Sequence, residues 1–371
     1  MPLYLDNNAT TALDPAVLEA MLPYLQSIYG NPSSVHRYGR LTRDALELAR
    51  HQVATLISAQ PGQVIFTSGG TEANNLAIRG VLTGMKAGRF AVSAIEHASL
   101  MEAALSMQGS GWQMDSIGVT SNCKVTEQHL QAVVNEQTRL VSVMLANNET
   151  GVIQPIQSLC EISHRYGALF HTDASQAAGK IEVNFTQLGV DMMTLSSHKI
   201  YGPQGVGALI ADRSIDIHPT MLGGGQERNK RSGTENIAGI VGFAKAAELA
   251  AAELESRQML TRQLRDELVR ELANIKQVVL FAVEELRLPN TVQFAVEGFD
   301  GETLLMQLDK QGIAVSSGSA CHTGRTEPSH VLMAMGVAEQ IAKSAIRVSF
   351  GKDNKVEDIK QFLDALNKIL N

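Results

Sequence analysis

Two stretches decide how this chain folds: Ala168-Leu169-Phe170-His171-Thr172-Asp173 and Met192-Met193-Thr194-Leu195-Ser196-Ser197-His198-Lys199-Ile200-Tyr201-Gly202-Pro203. Each opens with a short apolar run of strand length and then turns polar, the pattern of a buried strand leaving a sheet. Asp173 closes the first. Lys199 follows the second after a short Ser/His loop, 26 residues beyond Asp173. Working outward, similar strands are predicted at 64–67, 90–93 and 140–145. Helical patterns are predicted at 72–85, 100–107, 127–134 and 156–166. Strand, helix, strand at this spacing defines an α/β fold with a mostly parallel sheet flanked by helices. In such sheets ligands bind outside the carboxyl ends of the strands. Thr67, Leu145, Thr172 and Ser196 all approach that edge.

Before this region, Asp14-Pro15 reads as an N-cap with Pro at the first helical position, and the helix is expected to run to about residue 28. A loop at 30–34 precedes a second helix at 41–58. After Gly233 the pattern changes. Residues 235–272 read as one or two long helices. Short strands at 291–295, 314–316 and 346–349 follow, and an amphipathic helix at 356–370 closes the pattern. The expected division is a large domain over 14–252. A smaller α+β domain is made of 1–13 and 253–371, in keeping with a length too great for one small core.

Composition narrows the function. Charged residues make up 19%, hydrophobic ones 44%, and net charge is −7, an ordinary soluble balance. Arg228-Asn229-Lys230-Arg231 is the best basic cluster, too short to imply nucleic acid. Three cysteines, Cys123, Cys160 and Cys321, make no disulfide framework and favour a reducing, cytoplasmic compartment. No secretion signal is expected at the start. The apolar stretch 237–254 is broken by Lys245, Glu248 and Glu253, so it reads as an Ala-rich helix with no role in a membrane. No metal site is expected.

A lysine after one strand and an acid at the end of another suit pyridoxal 5'-phosphate. The amine forms a Schiff base with the aldehyde, and the acid keeps the pyridine nitrogen protonated so that the ring accepts electrons. Ser68-Gly69-Gly70-Thr71-Glu72 opens a helix after a strand and offers Gly70 and Thr71 to an anion; a plain Gly turn with a Thr cap is the bland alternative. Ser196 and His198 are second phosphate candidates. Asp173 is also compatible with a structural cap. Gln176 and Asn148 face the same pocket in this reading, toward the cofactor's phenolic oxygen. His97, after another strand, suits ring stacking and proton transfer. Cys321 lies in the small, polar run 315–329, expected to be a mobile support for a reactive thiol, with Cys160 a passive core or helix residue and Cys123 a turn residue that could be exposed without being functional. Arg347, in an otherwise apolar strand, is a candidate carboxylate clamp.

Taken together, these motifs resemble the cysteine desulfurase family of the NifS/IscS kind, within the class V aminotransferase group of pyridoxal-phosphate fold-type I. The resemblance rests on Tyr4-Leu5-Asp6, Ala9-Thr10-Thr11, Gly30-Asn31-Pro32-Ser33-Ser34, Phe66 to Glu72, Glu96-His97 and Asn147 to Gly151. It continues through His171 to Gln176, Ser197 to Pro203, Arg231 to Thr234, and Ser316 to Cys321, all in order. It implies that Lys199 is the Schiff-base lysine, that Asp173 pairs with the ring nitrogen and that His97 stacks on the ring. Asn148 and Gln176 would contact the phenolic oxygen. Gly70, Thr71, Ser196 and His198 would hold the phosphate, with Thr234 reaching it from the other subunit of a homodimer with shared sites. Asn31 and Arg347 would hold the carboxylate of L-cysteine. Cys321 would take the sulfur as a persulfide and pass it to a protein acceptor, an iron–sulfur scaffold or another sulfur carrier. Gln204 departs from the family, which often has a basic residue there, and His322 to Arg325 differ from its commonest version. The rival readings are a selenocysteine lyase, a cysteine/cystine lyase or a small-substrate aminotransferase of the same group, and, from a different class, a non-catalytic sulfur-relay subunit.

Overall fold

The computed structural model of the chain describes residues 2–317 and 327–370. Strand β1 (Leu3–Tyr4) is followed by β2 (Val64–Thr67), β3 (Arg89–Ser93), β4 (Gln113–Ile117), β5 (Thr138–Ser142), β6 (Leu169–Asp173), β7 (Met192–Ser196) and β8 (Gly207–Ala211). β2 to β8 form one seven-stranded sheet in the order β2-β8-β7-β6-β5-β3-β4. Only β8 runs against its neighbours; the remaining pairs are parallel. The strands predicted at 64–67 and 192–196 stand at those bounds, and the other three shift by one to three residues at their ends. β4 and β8 escaped prediction. β4 is a sheet edge whose residues are mostly half-exposed, so it lacks the apolar run that marks the inner strands.

Helices cover both faces. Arg37–Leu56, Ile156–Arg165 and Ile237–Ala252 bury one core against the sheet. Ala98–Gln108 and the helix that begins at Gly70 bury another. The helix Arg37–Leu56 turns Ala45, Leu46, Ala49 and Val53 inward at spacings of one, three and four. Burial of each Leu or Val there contributes roughly 1.5–3 kcal/mol. The helix starts four residues earlier than the sequence pattern indicated, because His36 caps it by accepting from Gly39 N at 3.3 Å. Gly39 is required inside it: a Cβ there would lie 2.2 Å from Ser34 O.

The second half builds β9 (Val278–Leu280), β10 (Thr291–Val296), β11 (Ile313–Ala314), β12 (Ser316–Ser317) and β13 (Ala345–Ser349). β12-β13-β10-β9 form an antiparallel sheet, and β11 pairs in parallel with β1. The single strand predicted at 314–316 is therefore two, shared between sheets. The long helical region resolves into Ile237–Ala252 and Leu254–Leu272, broken at Glu253. Leu264, Leu268 and Leu272 pack with Phe362 and Leu366 of the helix Val356–Leu370 over the antiparallel sheet. Asp6 bridges to Ser349, so the segment after β1 crosses from this sheet to the carboxyl edge of the large one. Among the described residues, no helix is long and apolar enough to cross a membrane.

Candidate active site

At the carboxyl ends of β2, β5, β6 and β7 a cavity of about 270 Å³ opens, walled by Gly70, Thr71, His97, Asn148, Asp173, Gln176, Ser196, His198 and Lys199. Nine residues singled out in the sequence thus meet at one place. Lys199 lies in a single 3-10 turn, Ser197–Lys199, directly after β7. Its Nζ donates to the main-chain oxygens of Asn8 (2.6 Å) and Ala9 (2.7 Å), which reach in from the segment after β1. Asp173 ends β6. Its Oδ2 accepts from Asn74 Nδ2 at 2.8 Å and its Oδ1 from Ser175 N at 2.9 Å. These bonds fix the carboxylate from behind.

The turn after β2 is made possible by two glycines. Gly69 has φ 155°, outside the range most side chains tolerate, and Gly207 of β8 lets it pack, since a Cβ on Gly207 would fall 2.7 Å from Gly69 C. The helix Gly70–Asn75 follows, and its first two residues, Gly70 and Thr71, line the cavity with N–H groups that have no partner within a helix's first turn. Glu72 Oε2 accepts from Ser68 N at 2.7 Å, and Glu72 also holds Arg231 at 2.8 Å, which keeps the acid's two oxygens off the cavity.

The histidines here are neutral by construction. His97 caps the helix Ala98–Gln108, its Nδ1 accepting from Ser99 N at 3.1 Å, which places the proton on Nε2. Burial, outweighing the opposing pull of Asp173, lowers its pKa. Burial and the nearby Lys199 and Lys180 bring His198 down to about 4, and burial brings His171, beneath Asp173, down to about 4 as well. His171 is held between Ser142 Oγ and Thr194 Oγ1.

Arg347 on β13 lies beside this cavity, 4% exposed, with Nη2 on Asp6 Oδ1 at 2.7 Å and Nη1 on Asn148 O at 3.1 Å. Asn31 and Thr234 are exposed and do not line the cavity. Cys321, expected to take the sulfur, lies outside the described residues. Cys160 is buried as expected. Cys123 does sit in a turn, at φ 65°, but it is wholly buried, its side chain part of the apolar cluster that holds Ile95 and Met144; burial pushes its thiol up to about 12.

Four residues that sequence reading passed over complete the site. Asn8, 1% exposed, donates to Asn148 O and Thr291 Oγ1 and accepts on Oδ1 from Lys180 and Asn290. Lys180 also donates to Gln176. Glu96 is fully buried beside His97, where burial pushes its carboxyl up to about 8. Glu149, next to Asn148, accepts from Gln293 at 3.0 Å and Ser329 at 2.5 Å, and burial raises it too. Neighbouring motif residues offered the only sequence signal for them: Asn8 precedes Ala9-Thr10-Thr11, Glu96 precedes His97, and Glu149 follows Asn148.

This donor set fits pyridoxal 5'-phosphate. The cavity has an amine at one side, a carboxylate at the end of a neighbouring strand and a helix N-terminus at a third point. Two buried polar atoms on its wall, Asn148 Oδ1 and Ser175 Oγ, have no hydrogen-bond partner among the described residues. Buried polar atoms are ordinarily paired, so both are suited to a polar ligand.

Comparison with known proteins agrees. Residues 3–362 match the aminotransferase class-V family. A protein of Dictyoglomus turgidum, called cysteine desulfurase IscS, is 43% identical over 99% of this chain and 94% of its own length. A solved structure described as a NifS-like protein superposes with a TM-score of 0.94 at 37% identity, covering 100% of this chain and 99% of that one. Another, SspA in complex with cysteine, gives 0.83 at 28% identity, covering 94% and 99%. The chain belongs to the class-V aminotransferase family, whose members use pyridoxal 5'-phosphate. Within that family it falls among the cysteine desulfurases of the NifS and IscS kind.

Proposed function

We propose that this chain binds pyridoxal 5'-phosphate in the cavity at the carboxyl edge of the large sheet and there removes sulfur from L-cysteine, releasing L-alanine. The convergence of Lys199, Asp173 and His97 on one cavity carries the reading. When bound, the cofactor supplies an aldehyde for an amine and a ring that draws electrons from the substrate's carbon. Lys199 would hold the aldehyde carbon, Asp173 the ring nitrogen, and His97 the ring face. Asn148 and Gln176 would serve the ring oxygen. The N–H groups of Gly70 and Thr71, with Ser196 and His198, would take the phosphate.

The chain's own groups then divide the work. Lys199 Nζ, between two main-chain carbonyls, takes and returns the proton of the substrate's α-carbon. His97, neutral and protonated on Nε2, supplies a second proton route. Arg347 already spends two nitrogens on Asp6 and Asn148. Its buried Nε, with no acceptor among the described residues, is suited to the substrate carboxylate. Asn31 supports that end. The Cys321 thiolate attacks the substrate sulfur. The C–S bond breaks, an S–S bond forms on Cys321, and the electron pair and a proton go to the carbon that becomes the methyl of alanine.

A second copy of the chain completes the site, with exposed Thr234 reaching the partner copy's phosphate. The persulfide passes to a protein acceptor in the cytoplasm, an iron–sulfur scaffold or another sulfur carrier. The test is single turnover with L-cysteine: peptide mapping is expected to find the extra sulfur on Cys321 and one alanine per site. Full alanine and sulfide production by Cys321→Ser with an added thiol would make the chain a lyase instead.

A further inference from the structure

The turn after Gln176 sets a second, half-buried lysine beside the first. Lys180 Nζ donates to Gln176 Oε1 at 2.7 Å and to Asn8 Oδ1 at 2.8 Å. Its turn is pressed against the residue after Lys199: Gly179 has φ 71°, and a Cβ there would lie 2.8 Å from Ile200 Cγ2. The charged groups around it are cations. Lys199 and Arg347 face it, with Arg257 and Lys352 across a cavity of about 30 Å³. The nearby carboxylates are engaged elsewhere, Asp6 with Arg347 and Asp173 with Asn74. Among the described residues Lys180 makes no ion pair, and burial with these like charges holds its amine well below the ordinary lysine range. A buried amine so placed is costly, and an apolar side chain would fill the space at less expense of solvation.

Its partner explains why an amine is there. The two ends of a carboxamide are nearly the same shape, so its orientation is set by what they meet. Lys180 Nζ spends its N–H groups on two oxygens, Asn8 Oδ1 and Gln176 Oε1, and in its charged form it has no lone pair to receive the amide's N–H. Gln176 Nε2 must then point the other way, where one N–H goes to Asn8 O at 2.9 Å and the second is left for the cavity that Gln176 lines. We propose that Lys180 is a positioning residue that locks the Gln176 amide so that a donor, never an acceptor, meets the ring oxygen of the bound cofactor. The proposal deepens, and rests on, the reading of this cavity as the cofactor site.

The test uses holoenzyme loaded with pyridoxal 5'-phosphate and reads the pH midpoint of the bound cofactor's visible absorption band. A donor on the ring oxygen disfavours the protonated chromophore, so losing it raises the midpoint. K180M is expected to raise the midpoint by about one pH unit, the size of one charge-assisted hydrogen bond. K180R, another pure donor, is expected to restore most of the difference. Q176L is expected to raise the midpoint alike, and K180M added to Q176L to shift it by less than about a third of a unit, as for two residues acting through one contact. A K180M midpoint equal to wild type, with only the melting temperature lowered, would overturn the proposal by making Lys180 structural. Full additivity with Q176L would also overturn it. If wild type binds the cofactor but Lys199→Ala leaves the band unchanged, the site reading itself falls and takes this inference with it. Should K180M fail to fold, K180Q gives the same comparison with a side chain that can present either end.

Discussion

The two edges of the seven-stranded sheet carry the same kinds of side chain and put them to opposite uses. At the carboxyl edge, Asp173, His97 and Lys199 stand around a cavity. At the other edge, Cys160 Sγ lies 3.6 Å from His164 Nε2, which in turn sits 2.8 Å from Asp191 Oδ2. A cysteine, a histidine and an aspartate in sequence are the makings of a nucleophile and its base. Here they are spent on structure. The Cys160 thiol donates to Gly189 O, Asp191 caps the start of β6 by accepting from Phe170 N, and burial pushes the thiol up to about 12. A thiol at that value is not a nucleophile at neutral pH. Parallel strands leave one edge where successive loops diverge and can enclose a ligand. The chemistry of a residue is decided by which edge it reaches.

That contrast can be broken by experiment. The largest effects are expected at the carboxyl edge and at the proposed sulfur carrier, Cys321. Lys199→Ala and Cys321→Ser should each reduce desulfuration by orders of magnitude, measured as alanine release; for Lys199→Ala, borohydride treatment should no longer fix cofactor to the protein. A reduced adduct on Lys180 in place of Lys199 would reassign the site. His97→Ala should lower turnover by about 10²–10⁴-fold, the usual worth of a proton-transferring group, and a loss smaller than about tenfold would leave His97 with its capping role alone.

Next in size is a pH effect. Glu96 is held at about 8 against an ordinary 4.5. The fold therefore keeps a proton that the unfolded chain releases, and this contribution to stability is present at low pH and lost as pH rises from about 4.5 through about 8. Glu96→Gln cannot lose it. Relative to wild type, the variant should gain at least about 1 kcal/mol between pH 5 and pH 8 in denaturant melts. His171 and His198 act with the opposite sign. Held neutral down to about 4, they cost stability as pH falls from about 6.5, where the unfolded chain takes up the protons. The smallest effect belongs to the amino edge. Cys160→Ala should leave turnover within about twofold and cost ~1 kcal/mol of stability for the lost packing. A large activity loss there would end the distinction between the edges.

Much of the carboxyl edge was legible in sequence because its residues sit at the ends of apolar runs. Met192 to Ser196 announces β7, and whatever follows must lie at the sheet's rim; that is how Lys199 could be placed. β8 was missed because it runs against its neighbours and its short run of Gly207 to Ala211 follows a Gly-rich loop, with no α-helix between it and β7. Asn8 and Lys180 were missed for a different reason. Neither belongs to a periodic pattern. Each matters through partners far along the chain, such as Asn8 with Thr291, and no local rule reports a pairing of that span. Asn31 and Thr234 stand outside the cavity of one chain, and under the proposed homodimer Thr234 would serve a partner copy's site.

Asn8 also sets a timetable. Its side chain bonds to Asn290 and Thr291, its N–H donates to Ser349 Oγ, and its carbonyl accepts from Lys199 and Gln176. The sequence separation to Ser349 is 341 residues. On the ribosome, where chains emerge at about 5–20 residues per second, the sheet that presents Lys199 is synthesised well before the strand that fastens Asn8. The cofactor pocket is therefore finished last, after β13 has left the exit tunnel, and a nascent chain truncated before Ser349 has its lysine but lacks the contact that tethers this wall to the second sheet.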